Sequence, residues 1–235
     1  MRKNIIVTGM PRSGKSTLLN KVILSYPNKV GFVTNEVREN GERVGFEIVT
    51  STGKKAMLAS VNFLTEYKVS RYFVDINNLE LVIPEILQFK EGDLLYLDEI
   101  GQMELYSEKF KKATNLILNS PNICLVTLSK IYSDDFIENI KKRKDIILIE
   151  LTENNRELNQ KFVEDLIGKI IKAKKYINEP RRFKIELEKA TIDAEHGTRN
   201  LIKRDNQWLC DCDFFTQKKI CSHVIALEEL YKLQT

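Results

Sequence analysis

Gly9-Met10-Pro11-Arg12-Ser13-Gly14-Lys15-Ser16, followed by Thr17, fits the pattern G-x-x-x-x-G-K-[ST]. Such a turn presents successive backbone N–H groups to nucleotide phosphates, so Gly9, Met10, Pro11, Arg12, Ser13, Gly14, Lys15, Ser16 and Thr17 are the expected nucleotide-binding residues. Lys15 is expected to reach the β and γ oxygens and take part in catalysis, and the Ser16 hydroxyl to hold Mg²⁺. The flanks agree. Residues 4–8 (NIIVT) form a β-branched apolar run that predicts a buried strand, and Lys15–Leu24 has helical spacing. The turn thus lies between a strand and the N-terminus of a helix, where anions bind.

Downstream, residues 30–34 (VGFVT) read as a second strand, and residues 43–50 and 54–58 as a hairpin turning at Ser51-Thr52-Gly53. Asn40-Gly41 is a further turn signal. Residues 78–89 have helical spacing interrupted by Pro84. Residues 94–99 (LLYLDE) are an apolar run ending in two acids, the form of a buried parallel strand that delivers carboxylates at its C-terminal edge. Asp98, expected on a strand neighbouring the phosphate loop, would hold Mg²⁺ or its water, and Glu99 would orient and deprotonate an attacking water. Residues 123–127 (ICLVT) and 145–150 (DIILIE) predict two more strands. Cys124 reads as a core hydrophobe. Thr127 and Ser129 would sense the γ-phosphate or cap a turn. Residues 156–175 predict an amphipathic helix with Leu158, Phe162, Leu166 and Ile170 on one face.

The whole chain has 235 residues, 43% of them apolar, a formal net charge of +4 and four cysteines. It can bury a full core, and its mild basic excess permits nucleic-acid contact without requiring it. No apolar run approaches the roughly 20 residues that cross a bilayer, and the run after Met1-Arg2-Lys3 is too short for a signal-peptide core. A cytoplasmic protein with no membrane association is expected. Cysteines in that setting favour metal binding or burial over disulfides.

Two long blocks resemble signatures of the thermophile (THEP-type) nucleoside-triphosphatase family. Residues 31–46 (GFVTNEVRENGERVGF) are similar to its G-F-x-T-x-E-V-R-x-x-G-x-R-x-G-F block, and residues 98–105 (DEIGQMEL) to its D-E-I-G-x-M-E-L block. Residues 152–158 (TENNREL) resemble its late T-x-x-N-R-x-x-L segment. The resemblance spans about residues 4–170. It implies an α/β, RecA-like phosphate-loop fold with a central, mostly parallel sheet, and slow hydrolysis of ATP, GTP and other nucleoside triphosphates to diphosphate and phosphate. Asp98 as metal ligand and Glu99 as base carry over by position. Arg38, Arg43 and Arg156 match family arginines and are candidates to offset transition-state charge, or else structural ion pairs. Glu36 and Glu104 read as supporting residues.

Residues 169–184 are rich in Lys and Arg, and a basic linker is placed at 176–181, between a triphosphatase domain at 1–175 and a second domain at 182–235. Phe183, Ile185 and Leu187 then alternate with charged residues, which predicts a half-buried strand. Cys210-x-Cys212-x₈-Cys221-x-His223 offers three thiols and an imidazole, a structural zinc set of two tight pairs. Its spacing, Trp208 and an apolar helix over residues 224–233 resemble the SWIM zinc finger. That implies a small α+β module binding DNA, RNA or a protein partner. His196, beside Gly197, reads as a loop residue. Two alternatives stay open: an accessory protein of nucleic-acid or recombination processes that uses nucleotide binding as a switch, and a nucleotide kinase, for which no lid is evident between Asp98 and Ile123.

Overall fold

The structure, a computed structural model, describes residues 1–232. Its contacts divide the chain into two units, Lys3–Lys161 and Met1–Arg2 together with the chain from Phe162 onward. The division falls earlier than the basic stretch at 176–181, inside a continuous helix whose buried residues, from Val163 to Tyr176, all belong to the later unit.

The first unit runs through β1 (Asn4–Gly9), α1 (Lys15–Leu24), β2 (Lys29–Glu39), β3 (Glu42–Thr50), β4 (Lys55–Ser60), β5 (Tyr67–Val69) and β6 (Tyr72–Val74). It continues with α2 (Ile76–Glu80), α3 (Ile83–Ile86), β7 (Leu94–Ile100), α4 (Glu108–Asn119), β8 (Ile123–Ser129), α5 (Asp135–Lys141), β9 (Ile146–Leu151) and the start of α6 (Arg156–Ile177). The strands form one mixed sheet in the order β5-β6-β4-β3-β2-β7-β8-β1-β9. From β2 to β9 every pairing is parallel; the flank from β3 to β5 is antiparallel. The parallel centre is apolar on both faces, as β1 (NIIVTG) and β8 (ICLVTLS) show by being buried almost throughout. One expectation is corrected by this order: the strand carrying Asp98, β7, is not the neighbour of β1, because β8 lies between them.

Local chemistry explains most element ends. Asn40 and Gly41 take φ of 50° and 84°, the two positive values that a tight two-residue hairpin turn needs, so β2 and β3 extend to meet there. The helical stretch around Pro84 splits into α2 and α3, with Pro84 in the first turn of α3, where its missing N–H costs no hydrogen bond. Ser107 caps α4 by accepting from the Phe110 N–H at 3.1 Å. That helix buries Phe110 against Phe32, ring centroids 6.0 Å apart. Cys124 is fully buried and its thiol is pushed up to about 12 by desolvation, which makes it an inert core residue.

In the second unit the remainder of α6 accompanies an antiparallel sheet of β10 (Phe183–Ile185), β11 (Lys189–Ala194), β12 (Gly197–Arg204) and β13 (Gln207–Cys210), then α7 (Asp213–Lys218) and α8 (Ser222–Lys232). The alternation expected through Leu187 ends at Ile185. Glu186 donates its N–H to the Lys189 carbonyl at 2.8 Å, closing a turn that leaves Leu187 exposed. Leu158, expected on the buried face of α6, is 70% exposed; that face is Val163, Leu166, Ile167, Ile170, Ala173 and Tyr176. His196 lies in the turn before Gly197, as read from the sequence. Leu233, assigned to the last helix from sequence, lies outside the described residues.

Candidate nucleotide and metal sites

The phosphate loop joins β1 to α1. A Cβ on Gly9 would collide with the Leu151 carbonyl oxygen and stand 2.6 Å from Ser13 Oγ, so only glycine lets β1 run this close to β9. Gly14 is left-handed, φ 99°. Lys15 is 7% exposed, donates to the Gly9 and Met10 carbonyls at 3.0 and 3.4 Å, and has Nζ 3.4 Å from Glu99 Oε2. The first turn of α1 holds no acidic residue, so the helix terminus is open to an anion.

Opposite Lys15, the end of β7 presents Asp98 with its side chain fully buried. Ser16 and Thr127 both donate to Asp98 Oδ1, at 3.1 and 2.6 Å. Thr34 donates to the Asp98 backbone carbonyl at 2.5 Å. The intervening strand β8 therefore contributes directly: Thr127, read as a phosphate sensor or turn cap, holds the carboxylate, while Ser129 Oγ accepts from the Tyr132 N–H at 3.4 Å. Burial pushes the Asp98 carboxyl up to about 6 against those two hydroxyl donors, and Oδ2 has no hydrogen-bond partner among the described residues. A buried carboxylate oxygen left unpaired beside a serine hydroxyl fits an oxygen-ligated Mg²⁺. Glu99 is partly exposed at the cavity. Glu104 is buried, accepts from the Gly101 N–H at 3.0 Å, and is pushed up to about 8 by desolvation with the charges of Glu99 and Asp98 adding to it.

A cavity of about 800 Å³ lies over the loop, bordered by Lys15, Ser16, Glu99, Arg43 and Arg156. A second, of about 430 Å³, is lined by Gly14, Thr17, Leu18, Asn154, Arg156 and Leu158 among others. Two of the three candidate arginines reach the first space. Arg156 grips the loop, donating from Nε to the Ser13 carbonyl at 2.7 Å and from a terminal nitrogen to that of Arg12. Arg43 donates to the Tyr72 hydroxyl at 2.8 Å and to Glu36 at 2.6 Å. Arg38 instead pairs with Glu36 at 2.6 Å on the exposed side, and the two guanidinium groups hold the Glu36 carboxyl below its ordinary value. Leu18, Asn154 and Leu158 were missed from sequence. The TENNREL block was the available signal, but helical periodicity placed Leu158 in a core.

In the second unit Cys210 ends β13, Cys212 precedes α7, Cys221 precedes α8 and His223 lies in the first turn of α8. Their four ligand atoms all fall within 4.8 Å of one another, and all four residues are buried. His223 Nδ1 is 3.6 Å from Cys210 Sγ and 3.8 Å from Cys221 Sγ. Tetrahedral zinc with bonds of about 2.3 Å to sulfur and 2.0–2.1 Å to nitrogen puts such atoms roughly 3.5 Å apart, so the donor set fits zinc. The Val224 N–H at 3.5 Å steadies Cys221 Sγ. Hydrogen bonding with Cys221 and His223 holds the Cys210 thiol down at about 4, while that thiolate and burial push Cys221 well up. Such a set is completed by a cation.

The model of a family described as NTPase matches residues 4–163, and that of the SWIM zinc finger matches residues 189–232. Nucleoside-triphosphatase THEP1 of Thermotoga sp. (strain RQ2) is 41% identical over 154 residues, covering 65% of this chain and 88% of the relative. The cancer-related nucleoside-triphosphatase homolog of Mus musculus is 30% identical over 174 residues, covering 66% and 92%. The crystal structure of THEP1 from Aquifex aeolicus superposes with a TM-score of 0.65 at 32% identity, covering 70% of this chain and 98% of that one. Among the described residues no helix is long and apolar enough to cross a membrane. Matched along most of its phosphate-loop unit by sequence and by fold, the chain belongs to the THEP1-type nucleoside-triphosphatase family and carries a SWIM zinc finger.

Proposed function

We propose that the phosphate-loop unit hydrolyses nucleoside triphosphates with Lys15 and Glu99 as its catalytic groups. The observation that carries this is the Lys15–Glu99 pair bordering the cavity over the loop, with the Ser16–Asp98–Thr127 hydrogen bonds built on the residues next to it. The β- and γ-phosphates lie on the loop amides of residues 9–17, and Lys15 exchanges its carbonyl partners for phosphate oxygens. Glu99, released from Lys15, orients a water and takes its proton as the oxygen bonds to the γ-phosphorus and the bond from that phosphorus to the β–γ bridging oxygen breaks, its electron pair leaving on the nucleoside diphosphate. Ser16 and Asp98 would hold Mg²⁺, which when bound neutralises charge on the β- and γ-oxygens. The nucleoside falls in the cavity edged by Leu18 and Leu158, where an apolar side chain packs on any base; this supports weak base discrimination.

The test is phosphate release from ATP, GTP, CTP and UTP. Lys15→Ala and Glu99→Gln should each lower it by about 100-fold or more with the secondary structure intact, in line with the usual weight of a general base or charge stabiliser. A Glu99→Gln variant of undiminished rate would remove Glu99 from this role.

For the zinc finger we propose nucleic acid as partner, in a cytoplasmic setting where its free thiols stay reduced. A cavity of about 240 Å³ beside the Cys/His cluster is edged by Lys169, Lys172, His196 and Arg199, with the Lys169 ammonium 4.6 Å from the Phe214 ring centroid. Cations beside a half-buried aromatic ring suit phosphate and a base stacked on its open edge. Salt-sensitive binding of single-stranded DNA or RNA that Lys169→Glu and Arg199→Glu each weaken is the expected result. Retention of full binding by both variants would place the nucleic acid away from this cavity, and absence of binding at low salt would point to a protein partner instead.

A further inference from the structure

The space over the phosphate loop continues into another of about 410 Å³, within the size range of small-molecule sites, roughly 300–1,000 Å³. Ser16, Thr34, Glu99 and Ser129 border both. The additional space therefore opens on the side of Glu99 where the attacking oxygen must stand. Hydrolysis needs room there for one water, whose share of liquid volume is about 30 Å³. The room present is more than tenfold larger.

Its walls are those of a binding site for an organic molecule. Phe46, Val69, Met103, Ile131 and Tyr132 line it, with Gln102 and Glu104 among its polar groups. The hairpin of β5 and β6 supplies Val69 and is fastened in place: the Tyr67 ring lies 4.9 Å from the Tyr106 ring, and the Tyr106 hydroxyl donates to the Lys68 carbonyl at 3.2 Å. The charged residues lining the space are Glu36, Asp98, Glu99 and Glu104, with no lysine or arginine among them. The nearest cations, Arg43 and Lys15, are already paired with Glu36 at 2.6 Å and Glu99 at 3.4 Å, so a nucleotide acceptor would bring its phosphate against carboxyl groups with no unpaired cation among the lining residues. A neutral molecule with a flat ring and hydroxyl groups is suited instead, its ring against Tyr132 and its hydroxyls bonding to Gln102 and Glu99.

We propose that this space is an acceptor subsite for a neutral nucleoside, and that the enzyme passes the γ-phosphoryl group to a nucleoside hydroxyl when the subsite is filled. The proposal rests on the triphosphatase reading of the adjoining site. The hydroxyl oxygen bonds to the γ-phosphorus, the bond from that phosphorus to the β–γ bridging oxygen breaks with its electron pair leaving on the nucleoside diphosphate, and the hydroxyl proton passes to Glu99. The products are a nucleoside monophosphate and a nucleoside diphosphate. With the subsite empty, water takes the same position and free phosphate results.

The experiment uses the full-length zinc-loaded protein with Mg²⁺, ATP labelled in the γ-phosphate and, separately, adenosine, guanosine, cytidine, uridine or thymidine. Labelled monophosphate from at least one nucleoside, with free phosphate falling in step, is the expected result. Ile131→Trp, at a 66% exposed position on the rim, should raise the nucleoside concentration for half-maximal transfer by about tenfold. If all label stays in phosphate with every nucleoside while release still requires Lys15, the acceptor subsite is overturned and the hydrolytic reading stands. If neither product depends on Lys15, both fall. Transfer unaffected by Ile131→Trp places the acceptor elsewhere and overturns the assignment of this space.

Discussion

Replacing Thr127 by valine tests how the buried carboxylate is held. Thr127 and Asp98 are both fully buried, and the hydroxyl donates at 2.6 Å to an oxygen whose only other side-chain donor among the described residues is Ser16, 3.1 Å away. Valine keeps the shape and removes the donor. A hydrogen bond to a charged group is worth about 1.5–3 kcal/mol, and this should be the loss at pH 8, where Asp98 is ionised. The sign with pH follows from its raised pKa. The fold binds the Asp98 proton more tightly than the unfolded chain does, so burying the carboxylate costs nothing below about 3.8 and its full amount above about 6, on the order of 3 kcal/mol. Valine raises that cost, so the destabilisation should grow between pH 5 and 8. The sole tryptophan, Trp208, lies in the zinc unit, so amide exchange of β8 in magnesium-free buffer is the suitable probe. A loss below 0.5 kcal/mol at pH 8, or an equal loss at pH 5 and 8, would refute the reasoning.

Chelation of zinc, or Cys210→Ser with Cys221→Ser, should unfold the second unit and shift Trp208 emission to the red, because structural zinc contributes about 10–16 kcal/mol where a domain's whole stability is about 5–15. After chelation of the wild-type protein, thiol reagents should modify the three cluster cysteines but not Cys124, which is buried in the first unit. Gly9→Ala should weaken nucleotide binding by at least tenfold, read with a fluorescent analogue, since the new methyl displaces the loop from Leu151 and Ser13. Phe110→Ala should destabilise the first unit by about 3–5 kcal/mol in the same amide-exchange experiment, given its complete burial against Phe32.

The sequence alone carried the phosphate loop, the acid-ended strand, the family blocks and the zinc set. Each depends on residues close together in the chain, and their chemistry is restrictive: few residue types allow a backbone to cradle phosphate or supply four soft donors. It also marked the Asn40-Gly41 turn and the break at Pro84 through backbone preference alone. The β5–β6 hairpin, α4 and α5 were not legible, because short elements owe their stability to long-range packing, as Phe110 does to Phe32. Tertiary structure alone decided that β8 separates β1 from β7, and with it that Thr127 holds Asp98, that Arg156 grips the loop while Arg38 stays outside, and that Leu158 borders a cavity. Strand order and cavity walls are set by which distant surfaces bury one another, and periodicity within a segment says only that a face is buried, not against what.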